Sequence, residues 1–253
     1  MTENMLAGWI VSCLLLGMRI APVFVFAPPF SLVRMPRLFL LLLGVGLSVC
    51  LVSAFPQATT LANLTTHTVA VAAVRELLLG GMFALAFNLV YGALYLAGRV
   101  IDVQAGYGFA LLIDPTSQQA TPLVGMLFAY AAGGVFFAAG GHIDLIRLLA
   151  ASLQAIPLGS WELPHSIARV ETFLSVVMLT AFGIAGGSIL VLFLVDIVIA
   201  LMSRTIPQMN VLILGFQVKT IMLLIALPTS FGIAGALFLR LTATLLQTLP
   251  RMI

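Results

Sequence analysis

Seven charged residues sit inside or at the rim of otherwise apolar runs: Arg19, Glu76, Arg99, Asp102, Asp196, Lys219 and Arg240. An ionised side chain at mid-bilayer costs about 2.5–3.5 kcal/mol on insertion scales and is seldom kept without a partner. Such groups either relay protons or ions, or pair with one another across helices. Structural pairing is the expectation, with proton coupling the second reading, and Glu76, Arg99, Asp102 and Lys219 are the positions singled out for it. Other chemistry lacks its residues. The chain has no HExxH helix, GxSxG elbow, CxxC pair or phosphate-cradling glycine loop, so it is not expected to be an enzyme. His67, His142 and His165 stand in separate connections, so neither a metal site nor a cofactor is expected. Cys13 and Cys50 lie in apolar runs, where a thiol behaves as a small hydrophobe rather than half of a disulfide.

The stretch AGRVIDVQAGYGFALLIDPTSQQATP, residues 97–122, is of another kind. It is too apolar for a solvated loop and too short and broken for a span. Non-helical backbone is tolerated at membrane depth only where protein buries it or a cavity adjoins it. After Gln104, Gly106 and Gly108 flank Tyr107; Phe109, Leu111, Leu112 and Ile113 come next, and Asp114 and Pro115 close the apolar part. The bulky side chains would fill a lumen while the glycines let the backbone swing. Two readings stand side by side: a channel plug, or a re-entrant packing loop.

Composition says what must hold these residues. Only 8% of the chain is charged and 62% is hydrophobic, against about 25% charged in a soluble domain. That is more apolar surface than 253 residues can enclose in one core, so lipid or partner subunits must cover the excess. A disordered chain, a secreted disulfide scaffold and a soluble enzyme are excluded. The net charge is +3, but the basic residues are scattered singly and no nucleic acid is expected.

The fold expected is all-α and of the integral membrane type, one domain spanning residues 1–253 with the 97–122 loop inside it. The hydrophobic segments are at 5–27, 38–55, 69–98, 123–140, 171–203 and 211–249. At about 1.5 Å per residue the last two reach roughly 50–60 Å, too far for a hydrocarbon core of about 30 Å. Breaks are therefore expected at FGIAGG (Gly183, Gly186, Gly187) and PTSFGIAGA (Pro228, Gly232), kinking these segments or folding them into helical hairpins. The same small residues would let helices or subunits approach closely. The FGIAG string recurs at 182 and 231 and hints at a repeat. Arg240, Thr244, Gln247 and Arg251 recur at helical spacing as a polar stripe suited to water. Arg34, Arg37, Arg99 and Arg204 outnumber Arg169 and Arg251 across alternate connections, which puts both termini on the periplasmic side; no removable signal peptide is expected. A small-solute secondary transporter would arrange the two breaks around a midplane site. Ser188, Thr229 and Ser230 are the only polar groups there for such a site.

Five pieces of sequence, in order, resemble the FliR/SctT family, export-gate subunits of flagellar and virulence type III secretion systems. They are RIAPVFVFAPPF with Pro36 beyond, RELLLGGMF around Glu76, AGRVIDVQAGYGFA followed by DP, GGHIDLIRLLAASLQAIPLG from Gly140, and PQMNVLILGFQVK from Pro207 to Lys219. Gln104 before Ala105 and Gly106, with the GFQVK ending, looks more like the flagellar branch than the injectisome branch. Gln217 stands where the family has proline, and the tail after Pro115 lacks a glycine. The resemblance implies a helical, non-enzymatic subunit of the bacterial inner membrane, within the flagellar basal body, in an assembly raised toward the periplasm. It implies FliP-type and FliQ-type partners, an FlhB-type subunit at the entrance, membrane lipid around the complex, and unfolded flagellar proteins in transit. The loop at Gln104–Pro122 would be the plug.

Overall fold

The structure, a computed structural model, describes residues 2–32, 35–59, 65–107, 122–161, 168–206 and 210–252. Among them lie α1 Thr2–Phe26, α2 Arg37–Ala54, α3 Pro56–Thr59, α4 Thr66–Ala105, α5 Leu123–Ala138, α6 Gly141–Ala155, α7 Ala168–Thr205 and α8 Val211–Met252, and no strand. Apolar runs of this length have one local solution, since a helix satisfies its backbone groups without water. α1, α2, α4, α7 and α8 are each long and apolar enough to cross a membrane; α5 and α6, bent by 73° at their junction, make a sixth if taken as one broken span. The expected segments are all present.

Two boundaries differ from expectation. α7 and α8 run without interruption through 182–187 and 228–236, so neither segment is broken into a hairpin of its own. Pro228 removes only one donor, and hydroxyls stand close by: Thr229 Oγ1 donates to the Ala226 carbonyl at 2.6 Å. Where water does not compete for backbone groups, glycine and proline interrupt a helix less than they would in solution. At the other boundary, α4 continues past Ala97 and Gly98 to Ala105. Gly98 is a contact residue within the helix, not its end.

The chain forms two compact units: Met1–Leu89 with Gly133–Thr172 and Thr242–Ile253, and Val90–Ala132 with Phe173–Leu241. In the first, α1 and α2 form an antiparallel hairpin. Ser48 Oγ donates to the Cys13 carbonyl at 3.0 Å, and Gly44 lies against Ala21. The first half of α4 runs parallel to α1, and Asn88 Nδ2 reaches the Phe26 carbonyl at 3.0 Å. Leu16, Ile20, Leu79, Phe83 and Phe87 fill its core.

In the second unit the partner of α7 is α8. Ile199 faces Gly215, Asp196 faces Lys219, Ser188 faces Ser230 and Gly183 faces Leu237. These pairs step outward from the 206–210 connection, so the two long helices together form one antiparallel hairpin. Edge-to-face pairs Tyr91–Phe238 and Phe128–Phe231, at 5.1 and 4.8 Å between centroids, join α8 to α4 and α5.

Candidate functional site

α4 closes at Ala105 and the chain turns out at Gly106, whose φ of 89° suits glycine alone among common residues. The chain returns at Pro122 into α5, and the two ends are clamped. Both carboxylate oxygens of buried Asp102 accept the Val124 N–H, at 3.1 and 3.2 Å. The first amides of α5 have no acceptor within their own helix, and the helix dipole there favours a negative charge. One turn back, a Cβ on Gly98 would overlap the backbone nitrogen and Cα of Gly125, so α4 and α5 touch backbone to backbone. The end of α4 and the start of α5 thus lie against each other.

The end of α4 is also tied to the α7–α8 hairpin. Gln104 Nε2 donates to Asp196 Oδ2 at 3.0 Å, Lys219 Nζ meets Asp196 Oδ1 at 2.6 Å, and Lys219 Nζ donates to the Gln104 carbonyl at 3.2 Å. Tyr107 lies edge-on to Phe216, with 5.9 Å between ring centroids. The Lys219 and Asp196 side chains keep 19% and 38% exposure, so water weakens this ion pair.

A second polar network, in the first unit, is fully enclosed. Arg19 Nε and Nη2 donate to the two oxygens of Glu76 at 2.5 and 2.9 Å, and neither side chain is exposed. The turn after α6 completes it: the Ile156 carbonyl accepts from Arg19 Nη2 at 3.1 Å, and the Gly159 N–H donates to Glu76 Oε1 at 2.8 Å. Arg75 Nη1 donates to the Gly159 carbonyl at 2.8 Å from the neighbouring position on α4. The helices come this close because Gly80 has no side chain; a Cβ there would strike the Met18 and Arg19 carbonyls. Pro22, four residues after Met18, supplies no N–H to that carbonyl.

Of the positions singled out for pairing, Glu76 pairs with Arg19, Lys219 with Asp196, and Asp102 caps a helix rather than meeting a cation. Arg99 is exposed and forms no ion pair among the described residues. The charges fall into separate groups, Arg19–Glu76 in one unit and Asp102, Asp196 and Lys219 in the other. Among the expected plug residues, Gln104, Gly106 and Tyr107 are described, whereas Gly108, Phe109, Leu111, Leu112, Ile113, Asp114 and Pro115 lie outside the described residues.

Gly183 packs on Leu237, while Gly186, Gly187 and Gly232 have open space where a Cβ would stand. Beside Pro228 the buried Ser188 and Ser230 hydroxyls bond each other at 2.8 Å. That pairing went unread in the sequence, as did the partnership of Arg75 with Gly159. The Asp196–Lys219 pair had a signal: an antiparallel hairpin about 206–210 sets the two residues opposite. Both cysteines are free thiols. Among the described residues no three His, Cys, Asp or Glu gather as a metal would need.

A family model described as "Bacterial export proteins, family 1" matches residues 10–245. The chain belongs to this family. Bacterial export proteins similar to it include the "Flagellar biosynthetic protein FliR" of Bacillus subtilis (strain 168), 27% identical over 237 residues and 89% of each chain. The protein of the same name from Escherichia coli (strain K12) is 26% identical over 145 residues, 57% of this chain and 56% of that one. The chain therefore matches just over half the length of the Escherichia coli relative. The "Yop proteins translocation protein T" of Yersinia pestis is 28% identical over 149 residues, 58% of this chain and 57% of that one. The Arg19–Glu76 network, the Asp102 clamp and the Asp196–Lys219 pair all fall within the family match.

Proposed function

We propose that this chain is a core, non-enzymatic subunit of the flagellar type III export gate, and that its 106–121 segment obstructs the conduit for unfolded flagellar proteins. The carrying observation is the clamp: Asp102 on Val124, with Gly98 against Gly125, brings both ends of an apolar, glycine-flanked segment to one place. A plug requires a mounting of this kind. In this reading Gly106, Tyr107, Gly108 and Phe109 form the plug, with Leu111, Leu112 and Ile113 supporting it. FliP-type, FliQ-type and FlhB-type subunits are the partners, in the inner membrane of the basal body.

The flagellar branch is supported by the Bacillus subtilis relative, whose match takes in 89% of this chain, while the match to the flagellar protein of Escherichia coli takes in 57% and that to the Yersinia pestis relative 58%. A small-solute transporter is disfavoured by the Ser188–Ser230 bond, which satisfies two of the hydroxyls such a site would need. The test is to delete Gly106–Pro115 and measure small-ion leakage in cells. Leakage well above background with an assembled complex is expected; background conductance in an assembled complex refutes the plug. Purified from its native cell, the chain should bring two other small hydrophobic proteins with it, where a transporter would stand alone or as a symmetric homomer.

A further inference from the structure

We infer that Gln104, Asp196 and Lys219 form a latch that sets the direction in which the chain leaves α4, and that this latch is the releasable part of the plug's mounting. The inference rests on the plug reading. One carboxylate addresses Gln104 twice: Asp196 Oδ2 takes the side-chain amide, while Oδ1 holds the Lys219 ammonium that caps the Gln104 carbonyl. Carbonyls in the last turn of a helix lack intrahelical donors, and a cation there also answers the helix dipole.

Three residues before Lys219, Phe216 occupies the same face of α8 and receives the ring of Tyr107. Residues 104 and 107 are thus both gripped by one turn of α8. The Asp102 clamp is buried and backed by glycine-to-glycine backbone contact, so it persists when side chains move. The latch is open to water at Asp196 and Lys219, and its aromatic half is exposed at Phe216. Losing one charge therefore frees the Gly106–Tyr107 turn while α4 stays on α5.

The test uses the assembled complex in a Cys13→Ala, Cys50→Ala background. Tyr107→Cys with Phe216→Cys reports the latch through a short bis-maleimide, and Ile199→Cys with Gly215→Cys reports the α7–α8 hairpin through a disulfide. Lys219→Met and Asp196→Asn should each lower the 107–216 cross-link at least three-fold and leave the 199–215 bond intact, and Lys219→Arg should restore most of the cross-link. Small-ion leakage should rise in Lys219→Met, by less than in the Gly106–Pro115 deletion.

An unchanged 107–216 cross-link overturns the latch. Loss of both cross-links also overturns it, because the ion pair is then a strut of the hairpin. A lowered cross-link with background leakage overturns its connection to the plug. Leakage of the deletion variant judges the plug separately, so failure of one reading is told from failure of the other.

Discussion

The Arg19–Glu76 pair gives the most direct check on the described packing. Glu76→Gln preserves shape and leaves an acceptor for the Gly159 N–H, yet it turns an amide donor toward a guanidinium that has no exposure. Breaking a buried ion pair by removing one partner costs about 3–5 kcal/mol, because the other charge stays behind desolvated. Arg19 would keep the Ile156 carbonyl at 3.1 Å, but a carbonyl does not neutralise it, and Arg19 Nη1 already has no hydrogen-bond partner among the described residues. Glu76→Gln should therefore fall within that range. The charge-free double variant Arg19→Met, Glu76→Leu should cost less than about 2 kcal/mol, since well-packed apolar residues often replace a buried pair at little loss. If the two sites acted independently the double variant would lose the sum of the Arg19→Met and Glu76→Leu single variants, roughly 6–10 kcal/mol at about 3–5 kcal/mol each, so that cycle should show a coupling of several kcal/mol. The assay is SDS titration of the full chain in mixed micelles, followed by helical circular dichroism. A Glu76→Gln variant within about 1 kcal/mol of the parent, or a double variant that loses the sum of the singles, would refute the argument.

The glycines supply a paired contrast. Gly80→Ala and Gly98→Ala drive a methyl into backbone and should cost about 1–3 kcal/mol or more, whereas Gly81→Ala and Gly92→Ala, with nothing within 4 Å, should stabilise α4 by about 0.5–1 kcal/mol; the same titration reads all four. At the α7–α8 crossing, Ser188→Ala or Ser230→Ala alone strands a buried hydroxyl and should lose about 1–3 kcal/mol, while the double alanine variant should recover most of it. Asp102→Ala removes the cap on α5 and should lose about 0.5–2 kcal/mol, with Asp102→Asn losing less; equal stability of parent and alanine variant would count against the clamp.

Much of the fold is legible in the sequence because the apolar windows are long and nearly free of charge, which sets helical type and the places of the long segments. The departures share one cause. Gly98, Gly183, Gly187 and Pro228 read as places where a helix stops under rules that hold for chains whose free backbone groups can turn to water. Here Gly98 serves contact, and Pro228 lies inside a helix that continues through it. Gly106 does turn the chain, at positive φ, as Gly140 does between α5 and α6. That charges inside apolar runs must find partners is legible from cost alone. Which partners they find is not: Arg19 and Glu76 lie 57 positions apart, and the turn that completes their network comes from residues 156–159. Asp102 makes the same point, since its partner is a helix N-terminus 22 positions on.

Burial along the helices accounts for the extreme composition. The most apolar windows of α1 and α4 are 56% and 50% buried within the chain, but those of α2, α7 and α8 only 28%. Polar side chains are turned inward, where Arg19, Glu76, Ser48, Ser188 and Ser230 are all buried, while Leu42, Leu179, Leu190, Leu224 and Ile225 stand exposed. A soluble domain would arrange these sets the other way, because exposed leucines gain by leaving water and buried hydroxyls do not. These inward polar groups find partners within their own units, so the exposed apolar stretches of α2, α7 and α8 require only apolar cover. Lipid tails and neighbouring apolar helices both supply it. The chain thus carries its specific interactions inside and offers greasy outer faces, as a subunit must if it is to be enclosed by a membrane or by other subunits while holding its own helices in register.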